Sequence, residues 1–379
     1  VTVDFSQTQE QKDLARLAGK MFAELAPATA LPEFEVPHDG CDTSLWRELA
    51  KAELLGVALP EDVGGAGMGL IELAILIEEA GKALAPVPLV PTLAVAAAAI
   101  DAFGSPAQRK SLLPRIASGD LVLTAALADA GSLEADQPTT LARADGKAWR
   151  IEGRKLFVPV ASSAGRVLVP TRTEDDQIAV FLVDPQSDGI ALEPTLATTG
   201  ERQHELRFEG VRATKEDLLG TPQAGRAILE WVVDRALAGL CALELGVADR
   251  ALRMTAKYTS ERKQFGKPIA TFQAVAQRAA DAYIDVEAIR LSTWQALWRL
   301  ASGRPARREL LIAKFWAAEG GHRACYAAQH LHGGIGVDTD YPLHRYYLMS
   351  RQIELTLGGA HAQLARLGRL LADEQPTAR

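Results

Sequence analysis

Four long stretches of unbroken helical periodicity constrain this chain more than any other feature. Leu229 to Arg262, Phe272 to Ala301, Arg307 to Leu331 and Pro342 to Leu371 each carry apolar residues at three- and four-residue spacing with few internal breakers. Short Gly/Pro segments join them. A helix buries such a stripe only against a neighbour, so the pattern predicts a four-helix bundle over residues 223–379.

The rest of the chain has a different texture. Residues 1–120 read as shorter helices: Thr8 to Gln11 precedes the periodic run Leu14, Leu17, Ala18, Met21, Phe22, and Trp46, Leu49 and Leu54 repeat the spacing. Leu70 to Leu84 and Gln108 to Ala117 continue it, while the glycines of PEDVGGAGMG, ending at Gly69, force a loop. Near Leu121 alternating, β-rich segments begin: Leu121 to Leu127, Trp149 to Ile151, Arg166 to Pro170, Ile178 to Val183 and Gly189 to Leu192, with polar turns between them. The fold class expected is α+β and multidomain: helical over 1–120, all-β over 121–222, then the bundle.

Composition excludes several roles. The 379 residues are two to three domains' worth. A net charge of −7 with scattered basic residues argues against nucleic acid or an anionic membrane as partner. Cys41, Cys241 and Cys325 have neither CxxC spacing nor an adjacent His cluster, so neither a disulfide framework nor a metal site is expected. No signal-peptide pattern opens the sequence, and its most apolar run, Leu89 to Ile100, is too short to span a bilayer. The expected location is cytoplasmic.

Two stretches suggest a ligand. In ERKQFGKPIATFQ, Glu261 to Gln273, an Arg and an aromatic stand beside a glycine at a helix end. The guanidinium fork of Arg262 matches a phosphate and the ring of Phe265 offers a stacking face. The alternative is a core Phe265 and a solvated Arg262. In HGGIG, ending at Gly336, glycines allow close backbone approach to a ligand and free N–H groups can meet a phosphate, although most such clusters are only helix stops.

ERKQFGKPIATFQAVAQRAAD resembles the signature of the acyl-CoA dehydrogenase family. GVALPEDVGGAGMG (Gly56 to Gly69), HLHGGIGVDTDYPLHRYY (His330 to Tyr347) and the segment near Gly358 are similar to family landmarks in the family's order, so the resemblance covers nearly the whole chain. It implies FAD as cofactor, an acyl-CoA as substrate, a β-barrel-like middle domain whose loops hold the flavin ring, and electron-transfer flavoprotein as acceptor. In family members the two segments hold the ADP half of FAD for a neighbouring subunit. That role carries over to Arg262, Gln264, Phe265, Ile269 and Gln273, and to Gly333 and Gly334, with His330 or Gln329 where the family usually has Gln.

Elsewhere the chain departs from the pattern. The loop resembling the family's flavin-ring segment reads Ala125 to Ser132 without its Glu-Pro, and in Phe157 to Ala161 a Phe replaces the usual Trp and Pro159 falls at the usual Thr. Proline supplies neither hydroxyl nor N–H. The family's usual catalytic Glu corresponds to Gly358, and the position used by a minority of members corresponds to Ala236, with Leu237 at a CoA-contacting Arg. Asp234 and Glu244 are the remaining candidate bases, followed by Glu354; His361, His332 and His344 could act as acids or bases but read more simply as structural.

Segments serving a neighbour's cofactor are kept, while this chain's own ring contacts and base are lost. The pattern resembles the base-lacking subunit of actinobacterial heterotetrameric, steroid side-chain type acyl-CoA dehydrogenases, and implies a second dehydrogenase subunit as partner. Two alternatives stay open: a self-sufficient homotetramer with a relocated base, and a scaffold of the same fold that binds neither flavin nor CoA.

Overall fold

A computed structural model describes residues 5–27, 40–132 and 134–374. They divide into two compact units, one built from the N-terminal helix, Ala74–Ala85 and Leu237 onward, the other from residues 40–73 and Pro86–Ala236.

In the first unit α1 (Gln9–Leu25) opens on the signal in its sequence. The Thr8 hydroxyl accepts the Gln11 N–H while the Gln11 side chain accepts the Thr8 N–H, a reciprocal capping box. The long helices are α6 (Gly225–Glu261), α7 (Gln273–Ala301) and α8 (Arg307–His332). Small buried residues line α8, among them Ala317, Gly321, Ala324 and Ala328, and let its neighbours approach closely. Where α3 (Leu70–Ala83) crosses α6 the constraint is absolute: a Cβ on Gly246 would collide with the Glu78 carbonyl oxygen. Tyr346, fully buried, donates its hydroxyl to the Lys82 carbonyl at 2.7 Å.

The single helix expected over Pro342 to Leu371 is interrupted. It forms α9 (Leu343–Leu355) and α10 (Ala360–Glu374), separated by Leu357 and Gly358 with φ of 59° and 95°. Two successive left-handed residues reverse the helical path, and the second position suits glycine. Apolar spacing on both sides of the break hides it, although the pair Gly358-Gly359 marks it.

The second unit contains α2 (Thr43–Lys51), α4 (Ala98–Phe103) and α5 (Pro106–Ala117). The apolar run Leu89–Ala97 winds as a π-helical stretch into α4. The glycine loop after Pro60 is held throughout, since Gly64, Gly65, Ala66, Gly67 and Met68 each donate their N–H to a nearby backbone carbonyl.

Its sheet has eight strands: β1 (Leu123–Ala125), β2 (Ala128–Asp129), β3 (Leu141–Asp145), β4 (Ala148–Pro159), β5 (Arg166–Thr173), β6 (Ile178–Val183), β7 (Ile190–Leu196) and β8 (Arg202–Ala213). They are ordered β1-β5-β3-β4-β8-β7, with β2 on β4 and β6 on β5; β1 and β3 run parallel to β5 and the other pairs are antiparallel. β8 lies outside the expected strands because its outward positions are charged. Its inward Leu206, Phe208 and Val211 nevertheless join the core with Ile151, Val167, Val169 and Phe181, and His204 is buried as well. Beneath β2 and β4, Lys155 and Asp129 form a buried ion pair, and Asp129 also accepts the Thr140 N–H at 2.8 Å and hydroxyl at 2.6 Å. Among the described residues no helix is long and apolar enough to cross a membrane, and no cluster of His, Cys, Asp or Glu could hold a metal ion.

Candidate functional site

Directly after α6 the chain enters a hairpin, β9 (Lys263–Gln264) against β10 (Lys267–Pro268). The two residues between, Phe265 and Gly266, have φ of 53° and 80°. A type I′ turn needs this left-handed pair, which glycine adopts freely and phenylalanine does not. The Phe265 ring is 92% exposed. Backbone strain spent on displaying an apolar ring marks a contact surface. Arg262 is exposed and makes no ion pair among the described residues, while its carbonyl accepts the Ile269 N–H at 2.8 Å and ties the hairpin back to the helix end. Gln264 and Gln273 are exposed and Ile269 is half-buried.

At the end of α8, Gly333 has φ 65° and ψ −141°, a conformation that disfavours any side chain. A Cβ at Gly333 or Gly334 would meet no atom within 4 Å, so backbone conformation rather than crowding demands glycine at 333. His330 is exposed, and Gln329 donates to the Gly336 carbonyl at 3.4 Å.

Both segments leave the bundle at one end. Tyr258 stacks on His332 with ring centroids 4.3 Å apart, and its hydroxyl lies 3.4 Å from the His332 carbonyl oxygen. Arg262 follows Tyr258 by about one helical turn and Gly333 follows His332 directly. A guanidinium, an exposed ring and side-chain-free backbone thus share one end of the bundle. These groups fit the ADP half of FAD: a cation for the pyrophosphate, open backbone for close approach, and a ring for an apolar face. No periodicity flags Tyr258 or His332; only the tertiary contact shows their part.

The candidate bases are placed less favourably. Gly358, at φ 95°, has its carbonyl occupied by Gln363 Nε2 at 2.7 Å, and a Cβ there would stand 3.0 Å from the Ala362 methyl and 3.1 Å from Arg366. Glu244 has no exposed surface. Its Oε1 accepts the Ser350 hydroxyl at 2.7 Å, its Oε2 has no hydrogen-bond partner among the described residues, and burial pushes the carboxyl up to about 8. Glu244 is therefore a core group, with no surface of its own toward solvent. Asp234 is half-buried beside Arg235, whose guanidinium stacks 3.3 Å from the Trp231 ring centre. Ala236 and Leu237 are buried.

Glu354 is paired with Arg351 and with His322 at 3.4 Å. His332 and His344 are buried and bonded to the Ala328 and Tyr341 carbonyls, each at 2.8 Å, and burial holds His332 below the ordinary histidine value. His361 is exposed in the first turn of α10.

In the sheet unit Phe157 sits at φ 53° where the β4–β8 register shifts, with its ring 60% exposed. Pro159 offers no donor, and its carbonyl already accepts the Thr124 hydroxyl at 2.7 Å. Ser132 bonds locally to the Glu134 backbone. These segments therefore supply an apolar face without free polar groups for the edge of a flavin ring, and fit that half of FAD poorly.

Three family models match the chain: the acyl-CoA dehydrogenase N-terminal domain over residues 8–120, the middle domain over 125–211 and the C-terminal domain over 224–371. Acyl-CoA dehydrogenase FadE27 of Mycobacterium tuberculosis is 38% identical over 98% of this chain and 99% of its own. A variant of the Tcur3481-Tcur3483 steroid ACAD superposes with a TM-score of 0.90 at 44% identity, covering 96% of this chain and 98% of that one. The ChsE4-ChsE5 complex from Mycobacterium tuberculosis superposes with a TM-score of 0.90 at 36% identity, covering 99% of this chain and 100% of that one.

Proposed function

Because this chain belongs to the acyl-CoA dehydrogenase family, whose members are FAD-dependent oxidoreductases, we propose that it is the base-lacking subunit of a heteromeric acyl-CoA dehydrogenase. It completes the FAD site of a catalytic partner chain in an α2β2 assembly. One observation carries the reading: the exposed constellation of Arg262, Phe265 and Gly333-Gly334 is intact, while the two base positions hold Gly358 and Ala236.

FAD, when bound, would supply the hydride acceptor for the acyl-CoA. Arg262 would hold its pyrophosphate with charge-assisted hydrogen bonds, Phe265 would cover apolar surface, and the open backbone at Gly333-Gly334 would admit the phosphates closely. Gln264, Ile269, Gln273 and His330 would complete that wall. The α-proton would go to a carboxylate of the partner chain, since Gly358 and Ala236 offer no titratable group. The likeness to a steroid ACAD and to a two-protein complex supports a bulky, steroid-type acyl-CoA as substrate and a heteromer as the working form. Electron-transfer flavoprotein is the proposed acceptor.

The test is an absorbance spectrum and native mass of the chain alone and co-expressed with a catalytic dehydrogenase subunit. The proposal expects a colourless chain alone and a yellow mixed tetramer with two FAD per four chains. A yellow homotetramer with one FAD per chain, bleached by an acyl-CoA, would overturn it in favour of a self-sufficient enzyme with a relocated base.

A further inference from the structure

Lys314 stands on the apolar stripe of α8 between Leu310 and Ala317 and is fully buried. It has no carboxylate within ion-pairing distance among the described residues. Its ammonium instead points at the break between α9 and α10. It donates to the carbonyl oxygens of Ile353 at 2.9 Å, Glu354 at 3.0 Å and Gly358 at 3.4 Å. The first two belong to the last turn of α9, where helix carbonyls lack intrahelical partners, and the third belongs to the base position of the family. Gln363, also fully buried, binds the Leu357 and Gly358 carbonyls from the other side at 3.0 and 2.7 Å.

A buried ammonium with three carbonyl acceptors uses all three of its donors on one short segment. That expense of desolvation is more than a helix C-terminus ordinarily needs, since water or a glycine turn suffices. We propose that Lys314 is the positioning residue of the Leu357–Gly359 loop: its ammonium locks position 358 in the left-handed backbone conformation that excludes a side chain, and so keeps the vacated base position closed.

The titratable and charged groups facing Lys314 are Cys241 and Glu244 on α6, Glu354 on α9 and Arg366 on α10; burial and Arg366 lower the amine, to about 8, against the opposing pull of the other three.

Hydrogen exchange of the full chain, resolved over residues 353–360, tests this directly. Lys314→Met keeps an unbranched apolar stem and removes the ammonium. Protection of the loop amides should fall about tenfold or more, with α7 unchanged. Lys314→Met should also reduce the cost of Gly358→Ala, because a released loop can move to φ below zero, whereas a merely space-filling lysine would leave the two substitutions additive. If Lys314→Met fails to fold, Lys314→Gln, which keeps two N–H donors on a side chain of similar reach, decides through a smaller loss of protection in the same segment. Loop protection that is unchanged in the folded variant overturns the proposal.

Discussion

Tyr258 and His332 lie face to face, their rings 4.3 Å apart and 18° from parallel. The contact joins α6, one turn before Arg262, to the last residue of α8, directly before Gly333, and so ties the two segments together. His332 is held in turn by the Ala328 carbonyl at 2.8 Å and the Tyr341 hydroxyl at 3.2 Å. His332→Ala should cost about 1 kcal/mol of packing and weaken FAD binding by the assembled complex several-fold, while Tyr258→Phe, which keeps the stack, should bind FAD nearly normally. Equal FAD affinity in His332→Ala and the unaltered complex would detach this pair from the site.

Arg262→Ala removes a charge-assisted contact proposed to meet the FAD pyrophosphate. The expected loss is about 1.5–3 kcal/mol of FAD affinity in the heteromer, with no change in the stability of the isolated chain, since Arg262 is exposed and carries no internal ion pair. Fluorescence titration of apo-complex with FAD measures it. Unaltered retention would remove Arg262 from the cofactor site.

Gly358→Glu places a carboxylate at the family's base position but on a residue with φ 95° and beside the Ala362 methyl. Backbone strain of about 1–3 kcal/mol should appear as a lower denaturation midpoint. The variant should also fail to turn over acyl-CoA as a homomer, because Pro159 and Phe157 still lack polar contacts for a flavin ring. Dye-reduction activity in purified homomeric Gly358→Glu would refute this.

Glu244 makes stability depend on pH with a definite sign. Its carboxyl is raised from 4.5 to about 8 by burial, so between these values the folded chain holds a proton that the unfolded chain has released. Stability is highest below about pH 4.5 as far as this group is concerned, falls by up to about 1.4 kcal/mol per pH unit toward 8, and levels above it. Lys314, lowered from 10.5 to about 8, contributes in the opposite direction between 8 and 10.5. Denaturant titrations of Glu244→Gln should show a flatter profile from pH 5 to 8 than the unaltered chain. Parallel profiles would mean that Glu244 is ionised in the core.

Asp129→Ala strands the Lys155 ammonium inside the sheet unit and deprives the Thr140 N–H and hydroxyl of their acceptor. Breaking one side of a buried pair costs about 3–5 kcal/mol, and thermal unfolding should reveal it. Asp129→Ala combined with Lys155→Met should recover much of the loss, since both charges are then gone.

The helical texture of α6, α7 and α8, the capping box at Thr8 and the β-rich middle of the chain were legible because they rest on local periodicity and short-range hydrogen bonds, which amino-acid order states directly. The segments holding Arg262, Phe265 and Gly333 were legible only as a pattern in family order. β8 escaped because its outward Arg and Glu residues dilute its alternation, and the break at Gly358 escaped because apolar spacing continues on both sides of it.

What tertiary structure alone decided is which polar groups are buried and against what. Glu244 and Asp234 look equally eligible as bases in the sequence. Packing of α6 against α8 and α9 seals Glu244 beside Ser350, and the same packing aims Lys314 at carbonyls some forty residues away in sequence. Burial and long-range hydrogen bonding are properties of several elements together, and a single run of residues carries no record of its neighbours in space. Periodicity therefore determined that these helices form, and their mutual packing determined which of their charged residues stay exposed and which face the core.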